Sequence, residues 1–206
     1  MDNHRKRLQY YKEQGSVFNN VLDIGAYEGE FYTMFKEFFP NANVLMIEAN
    51  EKKESILKSI GPYKIALLGS EDNKEVDYYK CKDGVPTGNS IYKENTTYTF
   101  EPEKRKAITL PTLLGSDKGF DLIKMDVQGS ELDIIKGAIP IIKKTDSLLL
   151  ELQTLEYNLK APMASEVISY VHNLGFDLVD ILNLMYSENH LIQVDVLFIN
   201  RNRNES

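Results

Sequence analysis

The sequence predicts an α/β protein with a doubly wound sheet of seven strands, mostly parallel with an antiparallel last strand, and helices on both faces. Three observations lead there. Apolar runs of strand length alternate with segments of helical periodicity from about residue 20 onward. The first run, Val21-Leu22-Asp23-Ile24, breaks at Gly25-Ala26-Tyr27-Glu28-Gly29 into a helix-like pattern, the strand, turn and helix corner on which such sheets bind ligands. No helix-length segment separates the last two strand candidates, 177–182 and 193–200, so they should pair antiparallel.

Taken in order, residues 4–14 are polar, with Leu8, Tyr10 and Tyr11 as the only sizeable apolar groups. They read as a short outer helix within residues 1–16, its basic cluster a solvated face. After the glycine turn, Phe31, Met34, Phe35, Phe38 and Phe39 recur at helical spacing until Pro40-Asn41 stops the helix, a stripe expected to pack the core. Asn43 to Ala49 is a nearly continuous apolar run, as in a parallel strand covered on both faces. Residues 51–60 have helix composition and stop at Gly61-Pro62, and Tyr63 to Leu68 is the third strand.

Residues 70–110 break the rhythm: Glu75 to Lys80 reads as a strand, Asp83 to Ser90 as turn chemistry, and Ala107 to Leu110 as a short extended piece. A polar excursion of this length points to a substrate lid, with residues 83–100 over the acceptor; a functionless surface insertion is the alternative. Phe120 to Val127 is the fourth strand, and a helix follows from about Glu131 to Lys144, with Ser130 and Asp133 fitting a capping box. Ser147 to Gln153 is the fifth strand, 162–174 a helix closed by Gly175, Asp177 to Leu182 the sixth strand and Gln193 to Asn200 the seventh.

At 206 residues the chain is expected to form one domain over 1–206. Its net charge of -7 sets the chain as a whole against a nucleic-acid partner, because phosphate attraction dominates such binding. The single Cys81 makes neither an internal disulfide nor a cysteine-based metal cluster. No run approaches the roughly 20 apolar residues of a membrane span, and no apolar signal core follows the charged N-terminus, so a cytoplasmic protein is expected. Nothing in the sequence sets an oligomeric state.

In open α/β sheets ligands bind beyond the C-terminal strand ends. Strand one delivers Asp23, Gly25, Ala26 and Gly29 there, and strand two delivers Glu48 and Ala49, with Glu48 placed to accept hydrogen bonds from ribose hydroxyls. The turn lacks the middle glycine of a dinucleotide fingerprint, and Glu28 and Glu30 would repel a pyrophosphate. They tolerate a nucleoside with a cationic centre such as S-adenosyl-L-methionine, whose ammonium Asp23 could bind directly or through water.

Strand four places Lys124 and Asp126 on one face, and Glu151 of strand five joins them if the two strands are neighbours. A lysine inside an apolar strand needs partners, so the cluster is either a structural ion pair or a working site, with Asp126 best placed to face a cofactor. His190, in the turn between strands six and seven, is the second candidate base; the alternative is an exposed turn histidine, and His172 and His4 read as bland. Asp126, Glu131 and Glu151 have no diagnostic metal spacing, and no metal is expected.

The turn Asp23-Ile24-Gly25-Ala26-Tyr27-Glu28-Gly29, the stretch Asp121-Leu122-Ile123-Lys124-Met125-Asp126-Val127-Gln128-Gly129-Ser130-Glu131 and the following Lys136-Gly137-Ala138 together resemble the FkbM-type S-adenosylmethionine-dependent methyltransferases, in order over residues 20–200. The resemblance implies the Rossmann-like class I methyltransferase fold and O-methylation of a hydroxyl on a sugar, glycolipid or small metabolite. Two residues depart from the family, Tyr27 where Asn is usual and Gln128 where Glu is usual. The resemblance names no base. An NAD-linked oxidoreductase and an S-adenosylmethionine-binding module without turnover are the other readings. A nucleic-acid N-methyltransferase is disfavoured by Asp126-Val127-Gln128-Gly129, which stands where an Asn/Asp-Pro-Pro-aromatic motif would clamp a flipped base.

Overall fold

The computed structural model describes residues 3–83 and 88–203. The elements run α1 (Asn3–Glu13), β1 (Asn20–Ile24), α2 (Glu30–Phe38), β2 (Asn43–Glu48), α3 (Glu54–Ile60), β3 (Tyr63–Ile65), β4 (Glu75–Cys81) and β5 (Phe100–Lys106). They continue with α4 (Leu110–Leu114), β6 (Leu122–Met125), α5 (Glu131–Gly137), α6 (Ile139–Ile142), β7 (Ser147–Gln153), α7 (Ala164–Asn173), β8 (Phe176–Ser187) and β9 (His190–Asn200).

Seven strands form one sheet in the order β3-β2-β1-β6-β7-β9-β8, while β4 and β5 pair separately. β3, β2, β1, β6 and β7 are parallel, and β9 runs antiparallel between β7 and β8. The predicted α/β class and antiparallel last strand are therefore found, and strand order reverses between β1 and β6, which opens a crevice at their C-terminal ends.

One face of the sheet, carrying Leu22, Ile123, Leu148 and Val196, is buried under Ile134, Ile141 and Val167 of the helices α5, α6 and α7. The other face carries Val21, Val44, Leu122, Leu149 and Leu197 and packs against Phe31, Phe35 and Phe38 of α2 and Leu8 of α1, so the aromatic stripe is core. Toward the C-terminal strand ends this second face turns from apolar to charged. Asp23 lies beside Lys124 in the β1–β6 register and Glu151 beside Asp195 in the β7–β9 register. That change of character along one face positions the site.

Several boundaries differ from expectation. β3 ends at Ile65; beyond it the chain makes an isolated parallel bridge between Leu68 and Ile108, with Ile108 N–H donating to the Leu67 carbonyl and Gly69 N–H to the Ile108 carbonyl, in place of a continued strand. Phe100 to Lys106, with a proline and five charged residues, is assigned no element from the sequence, yet it is the partner of β4. Pro102 is tolerated opposite Tyr79, whose own N–H and carbonyl bond Ser90 on the other side, and Lys104 pairs with Asp77 across the ladder at 2.9 Å. Leu110 opens α4 and is not extended.

The helix expected over Glu131 to Lys144 is broken after Gly137 into α5 and α6. A Cβ at Gly137 would lie 2.3 Å from the Gly69 carbonyl oxygen, so the bare glycine lets that loop close on the helix. Ser130 makes no capping bond; its hydroxyl donates to the Val127 carbonyl at 2.9 Å, and Asp133 accepts from Tyr92. Gly84 to Thr87 of the expected lid, with Met1 and Asp2 of the expected N-terminal helix, lie outside the described residues.

α1 does not present a solvated basic face. Arg7 Nε and the Tyr11 hydroxyl both donate to Asp180 of β8, at 2.6 and 2.7 Å, and Arg5 pairs with Glu37 of α2. With Leu8 buried, these contacts pin α1 across α2 and β8, with its first residues above the crevice. Among the described residues no helix is long and apolar enough to cross a membrane.

Candidate active site

The crevice holds a cleft of about 680 Å3, within the usual range for small-molecule sites. Its floor begins at the β1–α2 turn. Gly25 has φ +79°, and a Cβ there would sit 1.8 Å from the Asp126 carbonyl oxygen. The Asp126 N–H in turn bonds the Ile24 carbonyl at 3.0 Å, so the ends of β1 and β6 are drawn together at a point where only glycine fits.

Tyr27, at φ +47°, takes the left-handed conformation without being glycine, a strain of roughly 1–2 kcal/mol. Its N–H donates to Glu48 Oε2 at 2.8 Å, and Asn50 N–H donates to Glu48 Oε1 at 2.7 Å. Burial raises the Glu48 pKa, opposed by these amides.

The expected pair of repelling carboxylates is altered. Glu28 pairs with Lys53 at 2.6 Å, and the Lys53 ammonium lies 3.9 Å from the Tyr27 ring centre. Glu30 accepts from the Glu28 N–H. Glu28 is thus partly neutralised, and the discrimination against a pyrophosphate rests more on Tyr27, whose side chain stands where a dinucleotide turn needs a bare glycine.

The charged row fills the middle of the cleft. Lys124 Nζ is 3.3 Å from Asp23 Oδ1 and 3.3 Å from Asp126 Oδ2, and its side chain is 13% exposed. Gln128, held at φ +54°, donates one amide group to both Asp126 and Glu151 at 3.0 Å, and Gln193 donates to the same Glu151 oxygen at 2.8 Å. The cluster expected from Lys124, Asp126 and Glu151 is therefore assembled. Burial pulls the Lys124 pKa down, but Asp126, Asp23 and Glu151 outweigh it and leave the pKa raised, so the ammonium stays charged. Burial, with Asp126 and Asp195 nearby, holds the Glu151 carboxyl well above the usual range.

Glu131 is buried behind this row, and its Oε1 accepts the N–H groups of Val127 and Gly129, shaping the β6–α5 turn. Burial pushes its pKa from 4.5 to about 7. The folded state then holds a proton that the unfolded state has lost, so stability falls as pH rises from about 4.5 to about 7. Glu131→Gln keeps an acceptor there without the titration. Melting temperatures across that window should show the wild type losing ground to E131Q as pH rises; a constant difference would reject the assignment.

Of the expected residues, Gly25, Ala26, Glu48, Ala49, Lys124, Asp126 and Glu151 line the cleft. Asp23 is fully buried beneath Lys124, whose ammonium lies 3.3 Å from its Oδ1, and so does not reach a ligand directly. Gly29 packs beneath the turn, where a Cβ would meet Ile60 at 2.9 Å. His190 does not join the site. The β8–β9 hairpin runs on beyond the Gln153–Gln193 pair, carrying His190 about 10 Å further to an exposed tip. Among the described residues no three His, Cys, Asp or Glu side chains converge on a metal-sized point.

The remaining walls come from residues distant in sequence. Tyr78, Asn89, Ser90 and Ile91 of the insertion line one side. Ser90 donates to the Gln128 carbonyl at 2.8 Å, and Arg105 of β5 donates to the Ala49 carbonyl at 2.6 Å. Opposite stand Tyr157, Asn183, Gln193 and Asp195, with His4 and Arg5 from α1 above them. A carboxylate inside the apolar run of β9 was a visible signal for Asp195; His4 had none.

The sequence matches the methyltransferase FkbM domain over residues 23–178. The chain belongs to the FkbM methyltransferase family. Its methyl donor is S-adenosyl-L-methionine. No curated protein matches this chain by sequence. In fold it is similar to the N-terminal domain of EvdMO1 crystallised with SAH and D-fucose, at 13% identity and TM-score 0.55 over 98% of this chain and 84% of that one. It spans 41% of the longer EvdMO1 chain, at 13% identity and TM-score 0.52. It is also similar to magnesium protoporphyrin IX methyltransferase (ChlM) from Synechocystis PCC 6803 with bound SAM, at 9% identity and TM-score 0.56 over 96% and 80% of the two chains. An S-adenosylmethionine-dependent methyltransferase from Clostridium acetobutylicum matches at 10% identity and TM-score 0.54 over 96% and 91%. These likenesses establish the shared Rossmann-like class I methyltransferase fold.

Proposed function

We propose that this protein methylates a hydroxyl of a small or glycan-like acceptor. The observation that carries the reading is the composition of the wall opposite the glycine turn. Glu151, Tyr157, Asn183, Gln193 and Asp195 offer amide, phenol and carboxylate groups suited to a neutral polyhydroxyl molecule. That the EvdMO1 domain was crystallised in the presence of D-fucose is consistent with such an acceptor on this fold.

The chain's residues fit the donor. S-adenosylmethionine supplies a methyl group on a cationic sulfur. Gly25 lets the ends of β1 and β6 close into the floor on which the donor would lie, and Glu48, backed by two amides, would accept from ribose hydroxyls. Ala26 and Ala49 would flank the nucleoside. Asp23, Asp126 and Glu151 surround the single ammonium of Lys124, so the floor favours a cationic ligand. Asp126 would face the donor, Asp23 would act through Lys124, and the 88–92 strap with the β4–β5 pair would cover the acceptor. Alignment of the two reactants supplies much of the acceleration in such a displacement.

Isothermal titration with S-adenosylhomocysteine tests the donor half. Binding is expected for the wild type, and Glu48→Ala should weaken it about 10- to 100-fold, the loss of one or two hydrogen bonds to a charged group. A response to NAD with none to S-adenosylhomocysteine would reverse the reading. Transfer of labelled methyl to a panel of methyl glycosides and small polyols tests the acceptor half.

A further inference from the structure

We propose that His4, seated on Asp195, is the base that removes the proton from the acceptor hydroxyl, an inference that rests on the hydroxyl-acceptor reading above. His4 Nε2 lies 2.8 Å from Asp195 Oδ2, and the two side chains are 22% and 10% exposed. Both line the cleft. Asp195 is the direct cross-strand partner of Glu151, which shares the Gln128 amide with Asp126, so the imidazole overhangs the same strand ends as the charged row.

The placement is built into the fold. α1 is fixed by Arg7 and Tyr11 on Asp180, by Arg5 on Glu37 and by buried Leu8, and these contacts hold its first turn over the cleft. A carboxylate behind an imidazole orients the ring and stabilises the cation formed when it takes a proton.

The carboxylates at the strand ends are less suited to this work. Glu48 already accepts two backbone N–H groups, Asp126 accepts from Lys124 and Gln128, and Glu151 accepts from two glutamine amides. Asp23 is sealed beneath Lys124. An imidazole is also the side chain best matched to proton exchange near neutral pH.

The step balances. The acceptor oxygen forms a bond to the transferred methyl carbon, the carbon–sulfur bond breaks with its electron pair left on sulfur, and the hydroxyl proton passes to the His4 imidazole. The products are a methyl ether, a neutral thioether and an imidazolium facing Asp195.

The test uses the full chain, with a methyl glycoside that the wild type methylates as the probe. His4→Gln is expected to lower kcat about 10²- to 10⁴-fold, while the affinity for S-adenosylhomocysteine stays within about twofold, the mark of a group acting in the transition state. His4→Gly should regain turnover when free imidazole is added, which a purely structural role of the helix would not give. Wild-type turnover in H4Q, or no rescue of H4G, overturns the base. A wild type that binds S-adenosylhomocysteine yet methylates no hydroxyl in the panel overturns the acceptor reading and the base with it.

Discussion

Lys124→Met is expected to destabilise the fold by about 3–5 kcal/mol, the cost of removing one partner from a buried ion pair, and to remove methyl transfer. Lys124 is the cation against which Asp23 is buried, and Asp23 has neither solvent nor a hydrogen-bond donor to replace it. Without the ammonium, Asp23 can remain buried only by taking up a proton. Burial already raises its pKa, with Lys124 opposing that rise. In the variant the folded state binds a proton that the unfolded state releases, so the penalty should grow as pH rises above the ordinary aspartate range and shrink on acidification. Urea unfolding of wild type and K124M at pH 5 and pH 8 checks this. A penalty below about 1 kcal/mol at pH 8, the value of an exposed pair, would mean that Lys124 does not hold the buried charge of Asp23 in place.

Gly25→Ala should remove cofactor binding, with a loss of at least about 100-fold in S-adenosylhomocysteine affinity, the scale on which displacement of a binding-site element acts. The added Cβ would lie 1.8 Å from the Asp126 carbonyl oxygen, and that atom belongs to backbone that cannot rotate away. Relief requires β1 and β6 to part at the hydrogen bond between Asp126 N–H and the Ile24 carbonyl, which opens the floor of the cleft. Gly15→Ala is the control. Gly15 shares the positive φ, at +78°, but a Cβ there meets nothing within 4 Å. It should therefore cost about 1–2 kcal/mol of backbone strain and leave titration with S-adenosylhomocysteine unchanged. Equal behaviour of the two variants would show that the left-handed turn, and not the contact with Asp126, is what matters at Gly25.

The site was legible where local sequence carried the chemistry. Glycine at 25 and the acidic residue at 48 follow from strand ends that can be read in the chain, as does the lysine stranded between Ile123 and Met125. The extent of Gly29's and Asp23's contact with a ligand was not, because spacing places a residue near a strand end without saying whether its side chain is covered. Gly29 turns out to be packed by Ile60 and Met46, and Asp23 by Lys124. His190 is expected in the turn, but it opens β9 opposite Ser187, and hairpin length, which depends on pairing beyond β7, carries it away from the cleft.

The strand Phe100–Lys106 illustrates the same limit in the fold. Its charged residues and proline are unfavourable for a central strand, and only the ion pairs and exposed edges of a two-stranded sheet make them acceptable.

By itself, then, the sequence determined the doubly wound sheet, the antiparallel last strand and the donor corner, since each rests on hydrophobic period or glycine placement within short windows. Only the tertiary structure decided who faces whom across the cleft. His4 meets Asp195 from the far end of the chain, Arg105 reaches Ala49 and Ser90 reaches Gln128, because strand order and helix docking, not sequence distance, bring them within bonding range.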